Sequence, residues 1–319
     1  MKQRNLGKSG LLVSEVGIGC NNFGARLDLA GTRAVVAAAL EQGITLFDTA
    51  DVYARPNPGR SEEFLGEILG ADRKRIVLAT KFGAAMPEGR GGSRRYVMQA
   101  VEASLRRLKT DWIDLYQFHR PDPHTPLEET LRAMQDLIQQ GKVRYIGISN
   151  FAPWQIADAA WTARHLGGPA IISCQDEYSL LSREPDAGQL TAMQHYGLGL
   201  LPYFPLASGM LTGKYRRESL PNSGTRLVSS PLLRDHFLTD ANLAQVEKLQ
   251  AFCDARGKTM VELAFSWLLA RPCVSSVIAG ASTPAQLAQN VAATSWALTA
   301  EDMAELDRLA PPPQPAVHV

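Results

Sequence analysis

Eight short apolar runs recur along the chain, and helical patterns fill most of the intervals between them. The runs cover residues 16–20, 44–48, 76–80, 112–118, 145–149, 170–174, 198–204 and 275–279. Most are rich in Ile, Val and Leu without strict polar–apolar alternation, which is typical of parallel strands covered on both faces. Eight strands alternating with helices predict an α/β fold, a closed (β/α)8 TIM barrel.

The alternative to a barrel is an open, doubly wound sheet. A dinucleotide-binding sheet of that kind carries a GxGxxG pattern after its first strand. Here the first run leads into Gly17-Ile18-Gly19-Cys20-Asn21-Asn22, which lacks that pattern. The barrel is therefore favoured. Ahead of it, Gly7 and Ser9-Gly10 are turn signals that predict a small β-hairpin over residues 1–15.

Capping residues and prolines mark the predicted helix starts. These are Thr32, Ser93, Pro153 and two capping boxes, Thr125-Pro126-Leu127-Glu128 and Thr283-Pro284-Ala285-Gln286. Two segments break the alternation. Residues 207–240 form a connection of a length that is usually functional, and we expect it to cover a bound cofactor. The proline-rich tail, residues 309–319, is expected to be extended.

Composition and charge exclude several classes of partner. The 319 residues are expected to form one domain, and 33 Lys+Arg against 32 Asp+Glu give a net charge of +1, so neither nucleic acid nor an anionic membrane is expected to bind. The N-terminus lacks the apolar core of a signal peptide. Four widely spaced cysteines without a CxxC pair predict buried free thiols in the cytoplasm. The expected ligand is a small molecule, bound by a monomer or a homo-oligomer.

Polar side chains follow the ends of three neighbouring runs. Asp48 ends the second run, with Tyr53 in the loop after it, and Lys81 and His119 follow the third and fourth. In a barrel these strand ends meet on one rim. An ammonium lowers the pKa of a nearby phenol, ordinarily about 10. Lys81 can supply that ammonium, Asp48 can keep it charged, and His119 can donate a hydrogen bond to a substrate oxygen. The set predicts carbonyl reduction if a hydride arrives from elsewhere.

Each of these residues also has a structural interpretation when it is taken alone. Asp48 could cap a turn, Tyr53 could be an ordinary loop residue, Lys81 could be solvated or paired, and His119 could be a structural histidine. Two other reaction classes use similar residues in a barrel. A Schiff-base aldolase built on Lys81 is disfavoured because Asp48 would keep the amine protonated. A metal hydrolase is disfavoured because the six His residues form no HxH pair, so no metal is expected.

The loops after the seventh and eighth runs predict an anion site. Barrels commonly bind phosphate there, and the two loops carry Ser208-Gly209-Met210-Leu211-Thr212-Gly213-Lys214 and Gly280-Ala281-Ser282-Thr283-Pro284. The second loop leads into a helix N-terminus, where backbone N–H groups favour anions. For Gln286, a capping role and ligand contact both remain open.

Six motifs spread over the chain resemble those of the aldo-keto reductase family. They are GITLFDTADVY (43–53), VLATKFG (77–83), DLYQFHRPD (114–122), GKVRYIGISN (141–150), PYFPLASGMLTGKY (202–215) and VIAGASTPAQLAQN (277–290). The resemblance implies a (β/α)8 barrel, a nicotinamide cofactor that is usually NADPH with NADH as the alternative, and the catalytic set Asp48, Tyr53, Lys81 and His119.

The same resemblance implies a set of ligand contacts. The cofactor contacts would be Gly19, Cys20, Asp48, Ser149, Asn150, Gln175, Tyr203, Phe204, Leu206, Ser208, Lys214, Gly280, Ser282, Gln286 and Asn290. Of these, Ser149, Asn150 and Gln175 would hold the carboxamide, and Tyr203 would stack on the nicotinamide ring. The mouth of the substrate pocket would include Phe23, Phe82, Arg120 and Trp154.

The chain departs from the family pattern at the adenosine end. Many relatives have Lys and Arg where this chain has Gly280 and Gln286, and Glu in place of Gln289. Those cations would pair with the 2′-phosphate of NADP, so the resemblance implies modest preference for NADPH over NADH. The potassium-channel β subunits share this pattern, which leaves a cofactor-binding regulatory subunit as the alternative function.

Overall fold

The computed structural model describes residues 1–215, Arg217 and residues 225–313. Strands β1 (Gln3–Asn5) and β2 (Leu12–Ser14) form the predicted antiparallel hairpin. Gly7 lies in its turn with φ +58°, where an added Cβ would approach the carbonyl oxygens of Ile172 and Gly197 to 2.5 Å. Only glycine allows the hairpin to lie this close to the barrel.

Eight parallel strands form the predicted (β/α)8 barrel. They are β3 (Val16–Gly19), β4 (Leu46–Asp48), β5 (Val77–Phe82), β6 (Ile113–Phe118), β7 (Val143–Ser149), β8 (Ile171–Gln175), β9 (Gly199–Leu200) and β10 (Val277–Ala279). Hydrogen-bonded pairing runs in the order β10-β3-β4-β5-β6-β7-β8-β9. The last gap closes through a bridge between Leu200 and Val274, and the Ile278 N–H donates to the Pro202 carbonyl at 3.1 Å.

Twelve α-helices occur in the described part of the chain. They are α1 (Leu29–Glu41), α2 (Arg60–Ile68), α3 (Arg94–Leu108), α4 (Leu127–Gln139), α5 (Pro153–His165), α6 (Gln189–Tyr196), α7 (Arg226–Ser229), α8 (Pro231–Phe237), α9 (Asp240–Asp254), α10 (Met260–Leu269), α11 (Pro284–Ala292) and α12 (Ala300–Leu309). None of them is long and apolar enough to cross a membrane.

Two buried clusters hold the barrel together. One contains Leu6 and Val13 of the hairpin together with strand residues such as Leu46, Leu115 and Ile278, and it fills the barrel beneath the hairpin. The other, much larger cluster lies between the strands and the surrounding helices. The hairpin thus closes the N-terminal end of the barrel, and the carboxyl ends of the strands remain open for a site.

The predicted helix starts at Ser93 and Pro153 are confirmed. The start at Thr32 is wrong, because Asp28 caps α1 by accepting from the Gly31 N–H at 2.8 Å and Thr32 lies inside the helix. The capping box at residues 125–128 is also wrong. The Thr125 hydroxyl donates to Asp122 instead, and α4 begins without a side-chain cap.

The capping box at residues 283–286 is half correct. Thr283 accepts from the Gln286 N–H at 3.2 Å, but the Gln286 side chain accepts from the Ser282 N–H at 2.8 Å rather than from Thr283. The Gln286 side chain is therefore held across the loop after β10, at the predicted anion site.

The structure changes the expectation for one of the two segments that break the strand–helix alternation, residues 207–240. Where the structure describes residues 207–240, it shows tight turns over Ala207–Thr212 with a kink at Ser208 and Gly209, and then α7 and α8. Only the later part of this connection is more regular than its sequence indicates. Residues 216 and 218–224 lie outside the described part. The same holds for residues 314–319 of the predicted tail, whose start forms the end of α12.

Candidate active site

The four predicted catalytic side chains meet at the open rim of the barrel. The Lys81 ammonium lies 2.6 Å from Asp48 Oδ2 and 3.1 Å from the Tyr53 phenol oxygen. It also donates to the Thr49 carbonyl at 2.8 Å. The rings of Tyr53 and His119 are 6.1 Å apart and nearly perpendicular. All three donors of the ammonium are thus used, and Lys81 points at the phenol oxygen.

Asp48 is fixed by amides from two other strands. Gln175 and Gln117 donate to its Oδ1 at 2.9 and 3.1 Å, while Lys81 occupies Oδ2. Asp48, Lys81 and both glutamines are buried. A buried ion pair of this kind is stable when its remaining lone pairs are also satisfied, which is the case here. Asp48 therefore fixes the position of the Lys81 ammonium.

The pKa values of the Tyr53 phenol and of the Lys81 ammonium are both raised. Burial raises the pKa of Tyr53, and the nearby Lys81 ammonium opposes that rise without reversing it. Burial disfavours the Lys81 ammonium, but Asp48 and Tyr53 outweigh it, so the pKa of Lys81 is raised. Lys81 does act to lower the pKa of the phenol, as expected. The expected net lowering is wrong, because burial has the larger effect. At neutral pH Tyr53 is a neutral hydroxyl beside a cation.

His119 is neutral at neutral pH. Burial, together with the charges of Lys81 and Arg120, lowers its pKa to about 3. Its Nδ1 is buried without a hydrogen-bond partner among the described residues. A neutral imidazole can donate one hydrogen bond from its protonated nitrogen. His119 can therefore orient an oxygen beside Tyr53 but does not supply a charge.

A second group of polar residues lies beside this set. The Tyr203 hydroxyl donates to Asn150 Oδ1 at 2.8 Å, and the Asn150 amide donates to the His119 carbonyl at 2.9 Å. The Ser149 hydroxyl donates to the Gln175 carbonyl at 2.7 Å. These are the four residues predicted to hold the nicotinamide. The structure brings them together next to the phenol, where an amide and an aromatic face are available.

The loop after β9, at the predicted anion site, is tightly turned over residues 204–209, and we call it the anion cradle. Phe204, Ala207 and Ser208 all have positive φ, at 53°, 45° and 54°, and Gly209 follows at 102°. The N–H groups of Ala207 and Gly209 donate to the Phe204 and Leu206 carbonyls, both at 2.8 Å, so they fold the loop back on itself. The Ser208 hydroxyl is buried without a partner among the described residues. Strained backbone and an orphaned hydroxyl fit a bound pyrophosphate, as the sequence predicts for Ser208.

One cavity of about 650 Å³ connects the catalytic set to this cradle. Its size falls in the range of ordinary ligand pockets. Most predicted contacts line it: Gly19, Asp48, Tyr53, His119, Arg120, Ser149, Asn150, Gln175, Tyr203, Phe204, Leu206, Ser208, Lys214, Gly280, Ser282, Gln286 and Asn290. Among the described residues, no group of three or more His, Cys, Asp or Glu side chains could hold a metal ion.

The sequence reasoning missed two cations of this cavity, Arg26 and Arg226. Arg26, in the loop after β3, donates to the Ser229 hydroxyl at 2.5 Å and so joins that loop to α7. Arg226 lies 5.2 Å from the centre of the Phe204 ring. Their places in the sequence could have indicated both residues. Arg26 follows a barrel strand, and Arg226 lies in the long connection after the seventh strand.

Three predicted contacts need correction. Phe23 and Phe82 are completely buried in the core and do not line the cavity. Phe82 stacks between Tyr116 and Phe118 at 4.7 and 5.2 Å, on the helix side of the barrel wall. The thiol of Cys20 is also buried and turns back to the Ile18 carbonyl. Trp154 is 68% exposed on α5 and outside the cavity lining, so its role stays a prediction.

Comparison of the sequence with known proteins identifies one family. A profile of the Aldo/keto reductase family matches residues 15–311. A "Probable voltage-gated potassium channel subunit beta" of Arabidopsis thaliana is 38% identical over 301 residues, which cover 92% of this chain and 91% of the plant protein. An "L-glyceraldehyde 3-phosphate reductase" of Escherichia coli (strain K12) is 36% identical over 320 residues, 97% of this chain and 92% of the bacterial protein.

Proposed function

Because the chain belongs to the aldo/keto reductase family, we propose that it is an NAD(P)H-dependent oxidoreductase acting on an aldehyde, a ketone or the matching alcohol. The observation that carries this proposal is the contact of 3.1 Å between Lys81 Nζ and the Tyr53 oxygen, with Asp48 fixing the ammonium from behind. A nicotinamide bound in the cavity would supply or accept the hydride.

The proposed roles follow from the protonation states. Tyr53 is a neutral phenol and gives its proton to the substrate oxygen as negative charge develops there. The adjacent Lys81 ammonium stabilises the phenolate that remains. His119 donates a hydrogen bond to the same oxygen from its neutral ring. In the oxidative direction, the same phenol accepts the proton again.

The proposed cofactor is NADPH, with NADH as the alternative. Arg26, Lys214 and Arg226 all line the cavity. Burial and the charge of Arg26 lower the pKa of both Lys214 and Arg226, so Arg26 repels each of the other two cations. An anion bound between them removes that repulsion, and a 2′-phosphate adds charge near −2 to that of the pyrophosphate. The cations support NADPH even though Gln286 replaces the arginine of many relatives.

A regulatory subunit is the second candidate, and the similarity to proteins named potassium channel subunits favours it. Such a subunit would bind the cofactor without appreciable turnover. The complete catalytic set in this chain supports an enzyme instead. We also propose a cytoplasmic location, which the four buried free thiols support.

The test is consumption of NADPH and NADH with a panel of aldehydes and ketones. We expect turnover by the wild type and a loss of roughly 100-fold or more in Tyr53→Phe, the range of general acid catalysis. Tyr196→Phe, on the outer helix α6, is the matched control and should behave as the wild type. Cofactor binding, followed by tryptophan fluorescence, should persist in Tyr53→Phe. Near-normal turnover in that variant would exclude the proposed role.

A further inference from the structure

The cavity carries an excess of positive charge. Its described lining includes four cations, Arg26, Arg120, Lys214 and Arg226, and a single carboxylate, Asp48. That carboxylate is already neutralised by Lys81 at 2.6 Å. A cleft lined by one sign of charge concentrates ligands of the other sign. The cavity is therefore suited to more than one anionic group.

The four cations fall into two sets. The charge of Arg26 acts on Lys214 and on Arg226. These three line the cavity with Phe204 and Ser208 of the anion cradle. On the proposed function, this set holds the phosphates of the cofactor. Arg120 belongs to a different neighbourhood, because its charge acts on His119 and on Tyr203. It therefore lies at the end of the cavity where the carbonyl is reduced.

Arg120 has no acidic partner in the part of the chain that the structure describes. It follows His119 directly at the end of β6, and its side chain is exposed. The nearest acid in sequence, Asp122, is occupied by the Gly92 N–H at 2.9 Å and the Thr125 hydroxyl at 2.7 Å. Among the described residues, no carboxylate lies within ion-pair distance of the guanidinium. An unpaired arginine at a ligand cavity suits bidentate recognition of a carboxylate or phosphate.

We propose that Arg120 binds an anionic group of the substrate, so that the protein prefers short carbonyl compounds carrying a phosphate or a carboxylate. This inference rests on the proposed reductase activity and names its substrate class. The anionic group takes no part in the reaction. A bound nicotinamide would supply the hydride to the carbonyl carbon, Tyr53 gives its proton to the oxygen, and the anion remains bound to Arg120.

The test compares matched substrate pairs. One pair is glyceraldehyde 3-phosphate and glyceraldehyde, and the other is succinic semialdehyde and butyraldehyde. We expect the wild type to have the higher kcat/KM for the anionic member of at least one pair. In Arg120→Met the ratio within that pair should fall roughly 10- to 150-fold, the loss typical of one hydrogen bond to a charged group. The change should lie mainly in KM.

Two further variants sharpen the result. Arg120→Lys keeps the charge and should restore part of the ratio, more for a phosphate than for a bidentate carboxylate. Arg55→Met removes an exposed rim cation that bonds the Ala85 carbonyl and does not line the cavity. This control should leave the ratio at the wild-type value. If Arg55→Met lowers the ratio as much as Arg120→Met does, the preference for anions is due to general attraction by surface charge and not to a specific site at Arg120.

A binding measurement separates this inference from the proposed activity. Calorimetric titration with glycerol 3-phosphate and with glycerol is done on the protein saturated with NADP⁺, which occupies the other cations. Preferential binding of the phosphate that disappears in Arg120→Met supports the inference even if nothing is turned over. Two results would overturn the inference while leaving the reductase activity intact. One is an equal loss of kcat/KM in Arg120→Met for both members of each substrate pair, and the other is no preference of the wild type for the anionic compounds.

Discussion

Asp51 should destabilise the folded protein as the pH rises, and replacing it by asparagine should remove that effect. Both of its carboxylate oxygens are buried without a hydrogen-bond partner among the described residues. Its charged surroundings come from three elements: Glu62 on α2, Arg107 on α3 and Lys81 on β5. Arg107 is already paired with Glu62 at 2.7 Å. The cluster thus holds one acid more than it can neutralise.

The size of the effect follows from the shift in pKa. Burial, and then the charge of Glu62, raise the pKa of Asp51 from 3.8 to about 8. The folded protein therefore keeps a proton that the unfolded chain releases above pH 3.8. Stability falls as the pH rises between these two values, by about 1.4 kcal/mol for each pH unit, and reaches a total of about 6 kcal/mol near pH 8. Above that pH the contribution is constant.

The assay is urea unfolding of the wild type and Asp51→Asn at several pH values between 5 and 8. Asparagine has nearly the same size and does not titrate. The free energy of unfolding of the variant, relative to that of the wild type, should therefore increase steadily as the pH rises. Asp158→Asn, at an exposed position on α5, is the matched control and should follow the wild type. If the free energies of unfolding of Asp51→Asn and the wild type change with pH in parallel, Asp51 is ionised in the folded protein, and the reasoning is refuted.

Two further predictions concern the catalytic pair and the adenosine end. Lys81→Met should move the pH profile of alcohol oxidation to higher pH, because the Tyr53 phenolate loses its ammonium, and circular dichroism must show a folded variant. An unchanged profile would mean that Lys81 does not tune the phenol. Gln286→Arg should tighten NADPH by roughly 10-fold or more relative to NADH, through pairing with the 2′-phosphate. Equal gains for both cofactors in fluorescence titrations would place Gln286 away from the phosphate.

Strand ends were the most informative signal in the sequence. A run of apolar residues locates a buried parallel strand, and the barrel rule then places whatever follows its carboxyl end on one rim. Asp48, Tyr53, Lys81 and His119 were found in this way, and the structure brings them together. Residues that approach the rim through longer connections, such as Arg226, lack a fixed offset from any strand and could not be placed.

Side-chain alternation would have corrected one error. Successive residues of a strand point to opposite faces. Lys81 points into the barrel, so its neighbour Phe82 must point toward the helices, where it stacks on Tyr116 and Phe118. Predicting both residues in one site was inconsistent with a strand that continues through Phe82. The error came from ending the predicted run at residue 80, although the sequence shows no turn signal until Gly83 and the strand continues through Phe82.

The net pKa of the phenol depends on burial, which the sequence does not show. From the residues alone, a lysine beside a tyrosine lowers the pKa of the phenol. In the folded chain, burial acts in the other direction and is the larger effect. The two effects serve different steps of one reaction, since a neutral phenol is required to donate the proton and the ammonium stabilises the phenolate after donation. A raised pKa therefore favours reduction over a wide range around neutral pH, whereas oxidation, which needs the phenolate, is favoured by high pH.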